Sequence, residues 1–355
     1  MIYIVNFVIL SVNSLFERFI KSRVFLIFSG IALIVFAGLR NIDFIGDSQQ
    51  YAWDYAIYLN RIGKGQFEIG FSFLEKICSI LGMSVTEFFL IIAFLSIFFL
   101  ILGFKNLTLF PVSALLYYYS RFFINRDMNQ IRAGLAASLV VFALYYLIKE
   151  KIIKFLGILL IAGLIHKAAF IAFLIYPINK ITENRVWNFK KKKRIFIYAM
   201  ILIGAFFLSR VSSNFISNVI GNFDVTYVSR TSDYGKASYG LLNPVIWLQV
   251  MISLISLGMD EIKNNKKTNV CLSCYMISTV LLILFSNFYV LAGRLSTILA
   301  TVEPILILKI INNYLPNNYF YSRIISWIVF VGITLVIFWL INCYGTSFPV
   351  YKISV

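Results

Sequence analysis

Residues 152–178 read IIKFLGILLIAGLI, then His166-Lys167, then AAFIAFLIYPI, and His166 is the single histidine of the chain. The flanks are basic: Lys149, Lys151 and Lys154 at the start, Lys180, Arg185 and Lys190–Arg194 after the end. As one helix the stretch is over-long and carries a His-Lys pair at mid-membrane, where ionisable groups are costly. As two half-length helices meeting at His166 it is a re-entrant hairpin with both ends on one side. Ile152–Ile165 reaches about 21 Å and Ala168–Ile178 about 16 Å at 1.5 Å per residue, each short of a hydrocarbon core of about 30 Å. The hairpin is the favoured reading, and a single long, tilted helix is the alternative.

The rest of the chain follows from that choice. With 60% hydrophobic residues and a mean hydropathy of +0.86, the sequence is that of an integral membrane protein and not of a water-soluble globule. The fold expected is all-α, a polytopic helical bundle of about 10–12 transmembrane segments, forming one membrane domain over residues 1–355. Expected spans besides the broken unit are Met1–Phe16, Val24–Leu39, Val85–Phe104, Asn106–Ser120, Arg132–Ile148, Ile195–Ser209, Leu241–Gly258, Val270–Ala292, Thr297–Ile311 and Ile324–Cys343. Met1–Phe16 reads as a retained span, because its positive charges follow the apolar stretch and no small-residue cleavage site appears. Cys271 and Cys274 form a C-x-x-C without a second pair or a nearby histidine, so they read as membrane residues and not as zinc ligands.

A net charge of +17, from 32 Lys+Arg against 15 Asp+Glu, is explained by basic loops on anionic lipid before nucleic acid is invoked. Basic clusters assign the segments 17–23, 149–151, 179–194, 259–269 and 312–323 to the cytoplasm, and they fall on one side only if 152–178 enters and returns. The outer loops are then 40–84, 121–131 and 210–240. In 40–84, Phe67, Phe71, Leu74 and Cys78 recur at helical spacing, with Glu68, Glu75 and Lys76 off the stripe, which predicts an amphipathic helix over Gln66–Leu81 on the outer interface. The inside then holds 14 Lys and 5 Arg, whereas the outside holds 8 Arg and 5 Lys. Lysine suffices for topology; arginine grips phosphate or carboxylate bidentately. The arginine-rich outer face is therefore the working face.

The expected topology gathers Arg40, Asp47, Glu68, Arg126, Arg132, His166, Arg230 and Arg294 on that face. Several arginines with few counterions suit a pyrophosphate, both as bound group and as leaving group. A histidine or carboxylate beside them can take the proton of an attacking hydroxyl, and tyrosines such as Tyr51 and Tyr119 can pack on sugar rings. Asp43 and Asp47 lie four apart, but Gly46 argues for a turn there, and a metal site needs more oxygen ligands. Glu303, before Pro304 in an apolar run, fits either a kink cap or a cavity wall. The chemistry that this set suits is glycosyl transfer from a lipid pyrophosphate.

Gly38-Leu39-Arg40, Gly46-Asp47 with Tyr51, and Glu68-x-Gly70-Phe71 resemble the opening motif of the EpsG-like branch of Wzy-type polysaccharide polymerases. Ile131-Arg132-Ala133-Gly134-Leu135-Ala136 and His166-Lys167-Ala168-Ala169 resemble that family's Arg-x-x-x-Ala helix and His-Lys-Ser/Ala-Ala segment, and Arg294 its late arginine. Ser48 departs from the pattern, which commonly has an aromatic residue there. The resemblance implies a bacterial inner-membrane enzyme with its site facing the periplasm. It implies undecaprenyl-pyrophosphate-linked oligosaccharides as donor and acceptor, a chain-length regulator as partner, and no metal, cofactor or nucleic acid. Its carry-over assigns pyrophosphate binding to Arg132, Arg294, Arg126, Arg230 and Arg40, catalysis to His166, Asp47 and Glu68, and sugar contact to Tyr51, with Tyr119 added as a sugar-binding candidate from its aromatic ring alone. An O-antigen ligase uses the same donor. A lipid-linked oligosaccharide flippase would favour charges through both leaflets and a hydropathy repeat, and no repeat is visible.

Overall fold

A computed structural model describes residues 2–20, 23–42, 46–211, 240–260, 265–315, 319–343 and 350–353. Among them the chain is helical, with a single isolated β-bridge between Arg40 and Ile353. Among the described residues six helices are long and apolar enough to cross a membrane, and a pair bent by 52°, Val290–Ala300 with Glu303–Tyr314, is a seventh if it forms one span. Three shorter apolar helices are Arg23–Gly38, Ile152–Ile165 and Pro244–Leu257. The chain falls into two compact units, 1–170 with 311–355, and 171–310.

The first unit holds α1 (Ile2–Phe19), α2 (Arg23–Gly38), α3 (Gly46–Leu59), α4 (Ile69–Ile80), α5 (Val85–Leu107), α6 (Pro111–Tyr118), α7 (Ile131–Ile148), α8 (Ile152–Ile165) and, near the C-terminus, α15 (Phe320–Asn342). Helix α5 is its central post, packed against α2 on one side and α7 on the other, and α8 packs on α7. A capping box starts α5: Ser84 Oγ accepts from the Glu87 N–H at 3.3 Å, and Glu87 Oε2 accepts from the Ser84 N–H at 2.7 Å. Gly38 lets α2 touch α5, since a Cβ there would lie 2.7 Å from Leu90 Cα. Helix α15 docks on α1 through polar contacts: Trp327 Nε1 donates to Ser14 Oγ at 3.0 Å and Arg18 Nη1 to Ser326 Oγ at 2.6 Å.

The second unit holds α9 (Ile175–Ile181), α10 (Lys191–Val211), α11 (Pro244–Leu257), α12 (Lys266–Leu284), α13 (Tyr289–Ala300) and most of α14 (Glu303–Tyr314). Asn243 caps α11 by accepting from the Val245 N–H at 2.9 Å, with Pro244 at the first helical position. Glu303 sits at the bend between α13 and α14, fully buried, and accepts from the Tyr275 hydroxyl at 2.8 Å. That answers the question left by its sequence position: it is a hydrogen-bonded group at a kink before proline. Cys271 and Cys274 are buried free thiols.

Several sequence expectations are corrected. The chain breaks at His166 as expected, but the second half is a 3-10 helix over Lys167–Leu174 followed by a short α-helix. The segment 40–84 carries a second helix, α3, beginning at the Gly46 expected to turn. Pro111, not Asn106, opens the helix after α5. It runs on through a π turn over Tyr119–Phe123 to Arg126, which leaves 127–130 of the expected loop 121–131 outside helix. The lysines of 190–194 lie mostly within the first turn of α10 and not in a loop. Nearly all of the 210–240 loop lies outside the described residues.

Candidate active site

Helix α4 starts at Gly70's neighbour because Glu68 is extended, at φ −63° and ψ 150°, and stands as its N-cap without a side-chain bond to the helix. The Glu68 carboxylate is thereby free to turn elsewhere, and three groups meet it. Arg132 Nη1 donates to Oε2, the Lys167 backbone N–H donates to Oε1 at 3.2 Å, and His166 Nδ1 stands 3.5 Å from Oε1. Burial pushes the Glu68 carboxyl up, yet the approach of His166 and the Arg132 charge outweigh it and hold the group at about 2. Glu68 is ionised throughout the neutral range.

Arg132, one residue into α7, is held by more than its ion pair. Its guanidinium lies over the Phe67 ring at 4.0 Å and the Tyr51 ring at 5.5 Å, and its Nε donates to the Tyr51 hydroxyl at 3.4 Å. Tyr51, Phe67 and Phe71 pack on each other with centroids 5.0–5.8 Å apart. The arginine side chain keeps 18% of its surface accessible. A cation in an aromatic cradle with one carboxylate partner is pre-organised for a second anion.

His166 ends α8 in an extended conformation, φ −149° and ψ 114°, which releases its ring from the helix. It is 5% exposed, and its Nε2 has no hydrogen-bond partner among the described residues. Gly70 makes the meeting of α4 with this break feasible. A Cβ there would lie 2.8 Å from the Leu164 carbonyl carbon and 2.9 Å from its oxygen, so backbone touches backbone.

Beneath this cluster lies a second, buried layer. Asp127 accepts from the Tyr118 hydroxyl at 2.6 Å and from Ser96. Burial pushes Asp127 up to about 6 despite those hydrogen bonds and the charges of Arg126 and Arg40. Burial also draws Arg126 down to about 10. Gly134 lets α7 close on this turn, with a virtual Cβ 3.1 Å from the Arg126 carbonyl. Arg40 is 1% exposed, lies over the Phe89 ring at 4.5 Å, and donates to the Ala37 carbonyl and, at 3.4 Å, to Ser48 Oγ. Ser48 in turn donates to the Met128 carbonyl at 3.3 Å, so this hydroxyl links Arg40 to the Asp127 turn.

Of the residues named from the sequence, Tyr51, Glu68, Arg132 and His166 come together as one contact set. Asp47 is half-buried in the first turn of α3, one helical turn before Tyr51. Arg40 and Arg126 are buried in the layer below. Tyr119 is corrected: it is fully buried, donates to the Tyr3 carbonyl at 2.8 Å and stacks on Phe338 at 5.8 Å, which leaves no face for a sugar. Arg294 stands half-buried in α13 of the second unit, and Arg230 lies outside the described residues. Phe67 and Asp127 were missed. The signal for Phe67 was its place next to Glu68, and for Asp127 a carboxylate beside Arg126 in a short segment between apolar runs. Glu75, read as off the apolar stripe, is fully buried beside Asp54.

Long apolar helices in both units, with a charged cluster at the end of the first, define a multi-pass helical membrane protein with a polar site. The model of the EpsG family matches residues 23–353, nearly the whole length, and the chain belongs to that family. A curated relative, the amylovoran biosynthesis protein AmsC of Erwinia amylovora, is 23% identical over 304 residues, covering 79% of this chain and 77% of its own. No solved structure matches.

Proposed function

We propose that the protein is a polysaccharide polymerase of the bacterial inner membrane. It transfers a growing glycan from undecaprenyl pyrophosphate onto the terminal sugar of the next lipid-linked repeat unit, at the periplasmic face. The observation that carries this reading is the Glu68–Arg132–His166 cluster, an arginine cradle and an unpartnered histidine nitrogen joined by one carboxylate. Membership of the EpsG family and the relative named for amylovoran biosynthesis support the class of reaction.

In this mechanism the acceptor hydroxyl gives its proton to His166 Nε2 and attacks the anomeric carbon of the donor. The bond from that carbon to the pyrophosphate oxygen breaks, and undecaprenyl pyrophosphate leaves with the electron pair. Arg132 holds the charge that grows on the leaving group, which is the interaction worth most in such transfers. Glu68 keeps Arg132 and His166 in register, and Asp47 and Tyr51 orient sugar beside them. Arg294 and Arg230 are proposed as further pyrophosphate ligands, and a chain-length regulator as a protein partner.

The test is the surface and lipid-linked glycan of a deletion strain. Accumulation of single repeat units without polymer supports a polymerase. Polymer that is made on lipid but not transferred onward would mean a ligase, and repeat units trapped inside the cell would mean a flippase.

A further inference from the structure

A cavity of about 430 Å3 lies between α1, α2, the α5–α6 connection and α15. It is far from the Glu68 cluster: Phe88 of α5 packs on Phe71 and Tyr55 beside that cluster, whereas Lys105 in the last turn of α5 lines the cavity. Those two positions are roughly 25 Å apart along the helix at 1.5 Å per residue. The size falls within the roughly 300–1,000 Å3 of small-ligand sites.

Its charge is one-sided. Arg18, Arg23, Lys105 and Arg323 line it, each from a different helix, and Glu17 is the one carboxylate on the wall. Glu17 offsets part of the Arg18 charge, and its oxygens also accept from the Val112 N–H at 2.7 Å, the Ser113 N–H at 3.0 Å and Ser113 Oγ at 3.0 Å, where α6 begins. Arg18 is buried and fixed, with Nη1 on Ser326 Oγ and its guanidinium 4.9 Å from the Phe110 ring centroid. Arg23 and Lys105 are exposed at the mouth. A buried, anchored arginine behind exposed cations is more than a solvated basic fringe, because four cations from four helices against one carboxylate leave the wall with excess positive charge.

We propose that this cavity binds a phosphate group, with Arg18 and Arg323 as its inner ligands and Arg23 and Lys105 at its mouth. Three membrane-length helices, α1, α5 and α15, end around it. An anionic phospholipid headgroup, with its acyl chains along those helices, is therefore the natural source, and a soluble phosphate ester offers the same chemistry. The site does not depend on the reaction proposed above.

The test is native mass spectrometry and thermal unfolding of the full-length protein in neutral detergent. The probes are phosphatidylglycerol, phosphatidylcholine and inorganic phosphate. The cavity variant is Lys105→Gln/Arg323→Gln, which spares the buried Arg18. A matched variant, Lys149→Gln/Lys151→Gln, removes the same charge from an exposed turn outside the cavity. Retention of phosphatidylglycerol over phosphatidylcholine, weakened about tenfold in the cavity variant alone, supports the site with a lipid occupant. Protection by inorganic phosphate with the same variant dependence supports it with a soluble occupant. The proposal is overturned by equal losses in both variants, by no loss in the cavity variant, or by no preference for either anionic probe over zwitterionic phosphatidylcholine.

Discussion

Glu68 serves three partners with two oxygens, and that fixes what each neighbour can do. Glu68→Gln keeps the shape and removes the charge that holds Arg132 and His166, so transfer should fall about a hundredfold or more while the fold persists. Activity and thermal unfolding of the purified variant check this together. Glu75 gives an independent reading of the same region. Burial first, then the neighbouring Asp54, pushes its carboxyl up to about 9 from 4.5. A raised folded pKa stabilises fully below the unfolded value and loses that stability as pH rises towards the folded one. Stability should therefore fall as pH rises between pH 4.5 and 9. Glu75→Gln should unfold at a higher temperature than the native chain at pH 8, with the gap closing at pH 5; an equal gap at both pH values would contradict the buried, protonated state. Residue types were readable from the sequence at this scale, since Arg132, Glu68, His166 and Tyr51 were all named. Their partners were not: hydrogen bonds joining positions 68, 132 and 167 depend on helix packing that no local pattern encodes.

Elements explain why those residues meet. Helix α4 has two unlike faces. Phe71, Glu75 and Cys78 are buried, while Ile69, Phe73 and Ile80 are exposed at 62–79%, which suits a helix docked on protein by one face and on lipid by the other. The periodicity of Phe67, Phe71, Leu74 and Cys78 pointed to the first face, on which Leu74 is half-buried. Glu75 escaped because a protonated carboxyl behaves as an apolar residue and its partner, Asp54, lies on another helix. Helix α3 escaped because Gly46 and a polar run weaken helix propensity, and packing of Tyr51 and Tyr55 overrides it. The decisive contact is Gly70 on the Leu164 carbonyl. Gly70→Ala should destabilise by about 1–3 kcal/mol, as an over-packed backbone contact does, and should lower transfer further by moving Glu68 away from His166. Rescue of stability alone, by a second-site stabilising substitution, should leave transfer low.

In the first unit, Arg18, Arg23, Lys105, Lys149, Lys151 and Arg323 lie at the ends of α1, α2, α5, α7, α8 and α15 remote from Glu68. The proposed outward-facing site rests on reading these basic ends as cytoplasmic. The basic ends were legible in the sequence because charge at helix ends needs no tertiary knowledge. If 152–178 returns to its own side, cysteines placed at Lys151 and Lys190 should both resist an impermeant thiol reagent in intact cells. Labelling at Lys190 alone would mean a single crossing.

The most direct measurement of the central claim is the glycan ladder of a deletion strain complemented with Arg132→Lys. That substitution keeps the charge and abolishes the planar fork that Glu68, Tyr51 and Phe67 hold in place. The expected result is lipid-linked single repeat units with no polymer, although the protein is present in the membrane at its normal level. Polymer of normal chain length from Arg132→Lys would contradict the account.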